Sequence, residues 1–131
     1  MSTATIQIRK IGTVVVPVTD QERAIDFYTN TLRFELRADI AMGDQYRWVE
    51  VAPAGADTTI AIVPPPPGTP AGNAQTGIAL QTPDIDAAHA ELKGRGVDID
   101  AEVSKMGAPV PPLCWFRDPD NNTLMLVEVE A

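Results

Sequence analysis

One cysteine, Cys114, and one histidine, His89, stand in the 131 residues. A lone cysteine excludes an internal disulfide, cannot by itself build a cysteine metal cluster, and suits a reducing compartment. With the two residues in unrelated segments, no Ser-His-Asp or Cys-His pairing has a basis here, so nucleophilic catalysis is not indicated. Long apolar runs are also missing: nothing approaches the roughly eighteen consecutive apolar residues of a membrane span. Residues 1–10 are polar and carry no signal-peptide core. The expected place is the cytoplasm, with no membrane partner. Basic side chains are few, ten against eighteen acidic ones, giving a formal charge of −8. Such a field repels the phosphates of nucleic acid and attracts cationic small molecules.

What is present is a moderate apolar content of 44%, enough for one domain over residues 1–131. Residues 11–18, rich in valine, read as a buried strand ending at Asp20, the expected N-cap of a helix over residues 21–32. In that helix Ala24, Ile25, Phe27, Tyr28 and Leu32 fall on one face. Three β-prone runs follow at 34–40, 46–52 and 58–63, completing a β-α-β-β-β module over residues 11–63. Residues 64–76, dense in proline and glycine, continue neither sheet nor helix and form a linker. The pattern then restarts over residues 77–130: a strand at 77–81, a helix capped by Asp84 and stopped near Gly94, and strands at 97–103, 110–116 and 123–129. An offset of sixty-four residues carries Thr13 onto Gly77, Asp20 onto Asp84 and Ala61 onto Met125, the mark of a pseudo-duplicated domain.

The expected fold class is α+β, two βαβββ modules forming a curled mixed sheet around a cavity with helices on the outside. Period-two alternation assigns the cavity face. Thr13, Val15 and Pro17 face it from the first strand; Tyr46, Trp48 and Glu50, then Thr59, Ala61 and Val63, face it from later ones. In the second module Gly77, Ala79, Met125 and Val127 are equivalent, with Leu124 and Leu126 behind them. Met106, Leu113 and Trp115 close the cavity, and the proline-rich stretch 107–112 shapes a lid. The expected ligand-binding set is thus Thr13, Val15, Tyr46, Trp48, Glu50, Thr59, Ala61, Gly77, Met106, Leu113 and Met125. Glu50 is the one candidate general base or cation-holding group, and no catalytic residue is assigned. Arg47 points away. His89 reads as a partly exposed helix residue and Cys114 as a small buried hydrophobe. Gly94-Arg95-Gly96 lacks the further glycine and following helix of a dinucleotide loop.

The run Asp20-x3-Ala24-x2-Phe27-Tyr28-x3-Leu32-x-Phe34 resembles the first-helix signature of the glyoxalase/bleomycin-resistance/dioxygenase, or vicinal oxygen chelate, superfamily. The resemblance continues through Gly77-Ile78-Ala79-Leu80, the helix from Asp84 to Gly94, and Phe116-Arg117-Asp118-Pro119-Asp120. Arg33 and Asn121 stand where that family usually has glycine. Asparagine tolerates a left-handed backbone, whereas arginine there costs about 1 kcal/mol. Members that are enzymes place His, Gln or Glu on the first, fourth, fifth and eighth strands, and the matching residues here are Thr13, Ala61, Gly77 and Met125. Alanine and glycine offer no donor, a threonine hydroxyl is a poor ligand, and a thioether prefers soft copper(I). The resemblance therefore implies no metal and no cofactor. It implies a homodimer that binds a small apolar or aromatic molecule, with cationic character favoured by the acidic field, in the manner of antibiotic-sequestering members. An alternative is a lyase, isomerase or dioxygenase-like enzyme with an atypical site, and a third is a degenerate fold whose cavity is filled by its own side chains.

Overall fold

A computed structural model of the chain describes residues 5–72 and 74–130. The first module runs β1 (Thr13–Pro17), α1 (Gln21–Asp26), a π-helical turn (Phe27–Thr31), β2 (Glu35–Ala41), β3 (Arg47–Ala52) and β4 (Thr59–Val63). The second runs β5 (Gln75–Thr82), α2 (Ile85–Gly94), β6 (Asp98–Ile99), β7 (Leu113–Arg117) and β8 (Thr123–Glu128). Each module is a four-stranded mixed sheet, ordered β1-β4-β3-β2 and β5-β8-β7-β6. In both, the first and last strands pair in parallel and their neighbours antiparallel. Val15 lies opposite Ala61 and Ala79 opposite Met125, so the two ladders repeat at the offset seen in the sequence. Both expected caps are in place: Asp20 accepts from the Arg23 N–H and Asp84 from the Ala87 N–H, each at 3.1 Å.

Four local expectations need correction. The helix over 21–32 is not uniform: Thr29 Oγ1 donates to the Ile25 carbonyl at 2.6 Å, and the backbone widens until the Leu32 N–H reaches the Phe27 carbonyl. A hydroxyl competing for a helical carbonyl is a usual way to open such a turn. The strand expected over 97–103 shrinks to Asp98–Ile99, with a separate bridge between Ser104 and Leu113. Asp100 ends the ladder, because its carboxylate takes the Trp115 N–H at 3.0 Å and the Arg117 guanidinium at 3.0 Å. The next strand begins at Leu113 rather than 110, since Pro111 and Pro112 have no N–H to donate. At the other end of the linker, β5 starts at Gln75, two positions inside the stretch expected to be irregular.

The helix-side faces of both sheets share one core. Val16, Val49, Val51, Ile60 and Ile62 of the first sheet pack in a single cluster with Phe116, Leu124 and Val97 of the second module, and Ala24 and Tyr28 lie among them. Phe27 and Phe116 meet across the junction with ring centroids 6.5 Å apart. The turn between β7 and β8 locks the modules together. Its buried Asp118 accepts from Tyr28 Oη at 2.9 Å and from Asn122 Nδ2 at 3.0 Å. Asn122 Nδ2 also donates to the Pro17 carbonyl at 2.9 Å, and Asp120 Oδ1 accepts from the Thr19 hydroxyl at 2.6 Å. Burial first, and then the adjacent Asp118, push the Tyr28 phenol far above its ordinary range, so it stays a donor. The two backbones at the family's usual glycine positions are left-handed here, with φ of 64° at Arg33 and 65° at Asn121.

Because the modules meet through their helix sides, the sheets remain separate and do not close around a common cavity within one chain. Removing the phenol tests how much the junction carries. Tyr28→Phe leaves a buried carboxylate short of one charge-assisted bond and is expected to lower stability by about 2 kcal/mol, read from urea unfolding midpoints.

Candidate functional site

Side chains that alternate out of the core form the face of the first sheet turned away from the helices. Trp48 and Glu50 lie two apart on β3, and Thr59 and Thr13 lie opposite each other on β4 and β1. This spacing puts their polar atoms in one network. Trp48 Nε1–H donates to Glu50 Oε2 at 2.6 Å, Thr59 Oγ1 donates to Glu50 Oε1 at 2.5 Å, and the Thr13 and Thr59 hydroxyls are 3.0 Å apart. The Thr59 bond, followed by the Trp48 bond, holds the Glu50 carboxyl below the usual carboxylate range despite some desolvation. Glu50 is therefore an anchored anion at neutral pH. A carboxylate so held is a poorer general base than an ordinary one.

Beside this network lies an apolar hollow of about 460 Å³ lined by Val15, Pro17, Tyr46, Trp48 and Val63, with residues 64–67 as one wall. Proline rings suit that wall: they are apolar and stiff and leave no N–H unsatisfied. Val15 is 55% exposed although it sits in the middle of a strand. Ala61, between Val15 and Glu50 in register, is fully buried and does not line the hollow. The sequence treated residues 64–67 only as linker and took no face from β2. Ala38 and Ile40 pair with Glu50 and Trp48 and so extend the same face, with Ile40 53% exposed. Period-two alternation carried one strand further would have found them. Arg47 points to the other side, where its Nε and Nη2 each reach Asp39 at 2.7 Å and its Nη1 reaches Glu22 at 2.5 Å.

The remaining expected residues lie on the second sheet. Leu113 pairs with Val127 and Trp115 with Met125, which puts these four side chains together on the face away from the helices. Gly77 has φ of 76°, at a register shift between Gln75 and Ala79. Met106 sits in the loop before β7, 68% exposed. The structure thus divides the expected set into two outer faces, one per sheet, with the shared core between them. It does not bring them together.

Thr13, Ala61, Gly77 and Met125 do not compose a donor set for a divalent metal. Among the described residues no group of three or more His, Cys, Asp or Glu side chains is placed to hold one elsewhere. His89 uses Nε2 to meet the Asp100 carbonyl at 2.7 Å, tying α2 to the chain beyond β6. Cys114 is buried in the second core cluster, and desolvation raises its thiol above the ordinary value. Neither is a nucleophile in waiting.

The profile of the Glyoxalase/Bleomycin resistance protein/Dioxygenase superfamily matches residues 10–126. The YetH protein of Bacillus subtilis (strain 168) is 35% identical over 121 residues, 92% of this chain and 99% of that protein. TnmS3, an antibiotic binding protein from Streptomyces sp. CB03234, is 39% identical with a TM-score of 0.82 over 95% of this chain and 98% of its own. A superfamily member from Sphaerobacter thermophilus DSM 20745 is 38% identical with a TM-score of 0.86, covering 95% of this chain and 100% of that one.

The Glu50 network has a pH signature. A carboxyl whose folded value is depressed supplies stability that is complete above its unfolded value, near 4.5, and that is lost as pH falls through the lower folded value. Thermal melts from about pH 6 to about pH 3 are expected to show this acid-side loss in the parent and a shallower one in Glu50→Gln.

Proposed function

Since the chain belongs to the glyoxalase/bleomycin resistance protein/dioxygenase superfamily, we propose that it is a metal-independent cytoplasmic binding protein that sequesters a small aromatic molecule as a homodimer. The observation that carries this is the apolar hollow of the first sheet with an anchored carboxylate at its side. Tyr46 and Trp48 offer ring surface, the proline wall offers a flat apolar flank, and Glu50 offers fixed negative charge to a cationic or hydrogen-bond-donating group. TnmS3, similar in sequence and fold, is an antibiotic binding protein, and an antibiotic of planar aromatic type suits these walls.

One outer face makes half an enclosure. The second sheet's face, with Leu113, Trp115, Met125 and Val127, supplies apolar surface of the same kind but looks the other way. A two-fold dimer sets the first face of one copy against the second face of its partner and creates two equivalent closed sites. Exposed Val15 and Ile40 then lose their contact with water. Catalysis by Glu50 as a base is the less favoured reading, because Thr59 and Trp48 occupy both carboxylate oxygens and lower their proton affinity.

The test is a fluorescence titration of EDTA-treated protein with a panel of planar aromatic antibiotics. Binding is expected to persist without metal and to weaken about tenfold or more in Trp48→Ala and in Trp115→Ala. Mixing the two variants is expected to restore parent-like affinity at one site per mixed dimer, because that site draws on the intact face of each copy. Binding that needs a divalent ion would overturn metal independence, and failure of the mixture to recover would overturn the shared site.

A further inference from the structure

A second hollow lies on the helix side, between the modules, with a volume of about 270 Å³. Leu32 and Phe34 line it where the π-helical turn runs into β2, and Leu80, Leu92, Phe116 and Leu126 line it from the second module. Most of these side chains are only partly buried, so the shared core is left open at this point. The volume falls just below the roughly 300–1,000 Å³ of drug-sized sites, and junctions between packed units are where such sites concentrate.

Two guanidinium groups stand at its mouth. Arg95 is engaged: it pairs with Glu91 through Nε and Nη2 and donates from Nη1 to the Thr31 carbonyl at 2.8 Å, bracing α2 against the first module. That pairing also neutralises the acid at the rim. Arg33 is different. It is exposed, it has no hydrogen-bond or ion-pair partner among the described residues, and its backbone is left-handed, a conformation a non-glycine residue adopts only at a cost. An unpaired cation thus borders an apolar crevice in a chain whose net charge is −8.

We propose that this inter-module crevice binds a small amphipathic carboxylate, its single ring or short chain lying on Leu80, Leu92 and Phe116 and its carboxylate on the Arg33 guanidinium. The planar fork of arginine matches a carboxylate in a bidentate pair. The outer face has the opposite preference, because the fixed charge of Glu50 repels an anion. The two sites are therefore separable by ligand charge, and this proposal does not depend on what the outer faces bind.

The probe is 4-phenylbutanoate, titrated into the full chain at neutral pH and followed by calorimetry and by amide chemical shifts. Saturable binding is expected, with shifts at Leu32, Arg33 and Leu92. Arg33→Gly keeps the left-handed backbone at no steric cost, so the fold is retained and only the cation is lost. This variant is expected to weaken binding about tenfold, as is replacing the probe by its uncharged amide, whereas Trp48→Ala is expected to leave it unchanged. Equal affinity of acid and amide, undiminished binding by Arg33→Gly, shifts confined to the outer faces, or no saturation at about 10 mM would each overturn the proposal.

Discussion

Asp118 sits almost out of water, held by the Asp120 and Asn122 N–H groups and Asn122 Nδ2 of its own turn and by one donor from the other module, the Tyr28 phenol, while Asn122 reaches on to the Pro17 carbonyl. A buried carboxylate is tolerable only when its lone pairs are met, so parting the β7–β8 turn from the first module would take one charge-assisted donor from a buried anion. This bond, those of Asn122 and Asp120 to the end of β1, and the shared apolar core hold the helix sides of the two sheets together. Once they are together, Phe27 stacks towards Phe116 and one core serves both halves. Everything about the outer faces follows, because in a strand the side that is not core is the side that is free.

The freed faces are chemically unlike the core they back. Val49 and Val51 are wholly buried, and between them on the opposite side stands Glu50, held by a tryptophan and a threonine. A lone carboxylate beside an apolar hollow would drift in pKa with every change of solvation. Two donors fix its position and keep it charged. The first sheet thus presents a pre-set arrangement of ring surface, proline wall and negative charge.

Much of this was legible in the sequence, because much of it is local. Helix caps at Asp20 and Asp84, strand parity across Trp48-Val49-Glu50-Val51, and the sixty-four-residue repeat all depend on neighbours a few residues away or on a ladder of fixed period. What escaped depends on partners far along the chain. Tyr28 and Asp118 are ninety positions apart, and no periodicity announces that the modules dock through their helix sides. Whether the modules pair around a cavity within one chain or across two was not legible in the sequence for that reason. Shorter-range misses have equally specific causes: a threonine hydroxyl opens the π-helical turn, and the Asp100 side chain replaces the backbone partner that would have extended β6. Arg33 and Asn121 show the reverse case, where a local rule about left-handed positions held although the usual glycine was absent.

Thr13, Ala61, Gly77 and Met125, the four residues that the resemblance sets at ligand positions, each have a definite place in this fold. Thr13 bonds to Thr59 and so helps to hold the Glu50 network. Ala61 is fully buried between Val15 and Glu50 in register, where a longer side chain would displace one of them. Met125 packs on the outer face opposite Trp115. Gly77 is the most constraining: there is open space around it, but its φ of 76° is one that a histidine or glutamate adopts only with strain.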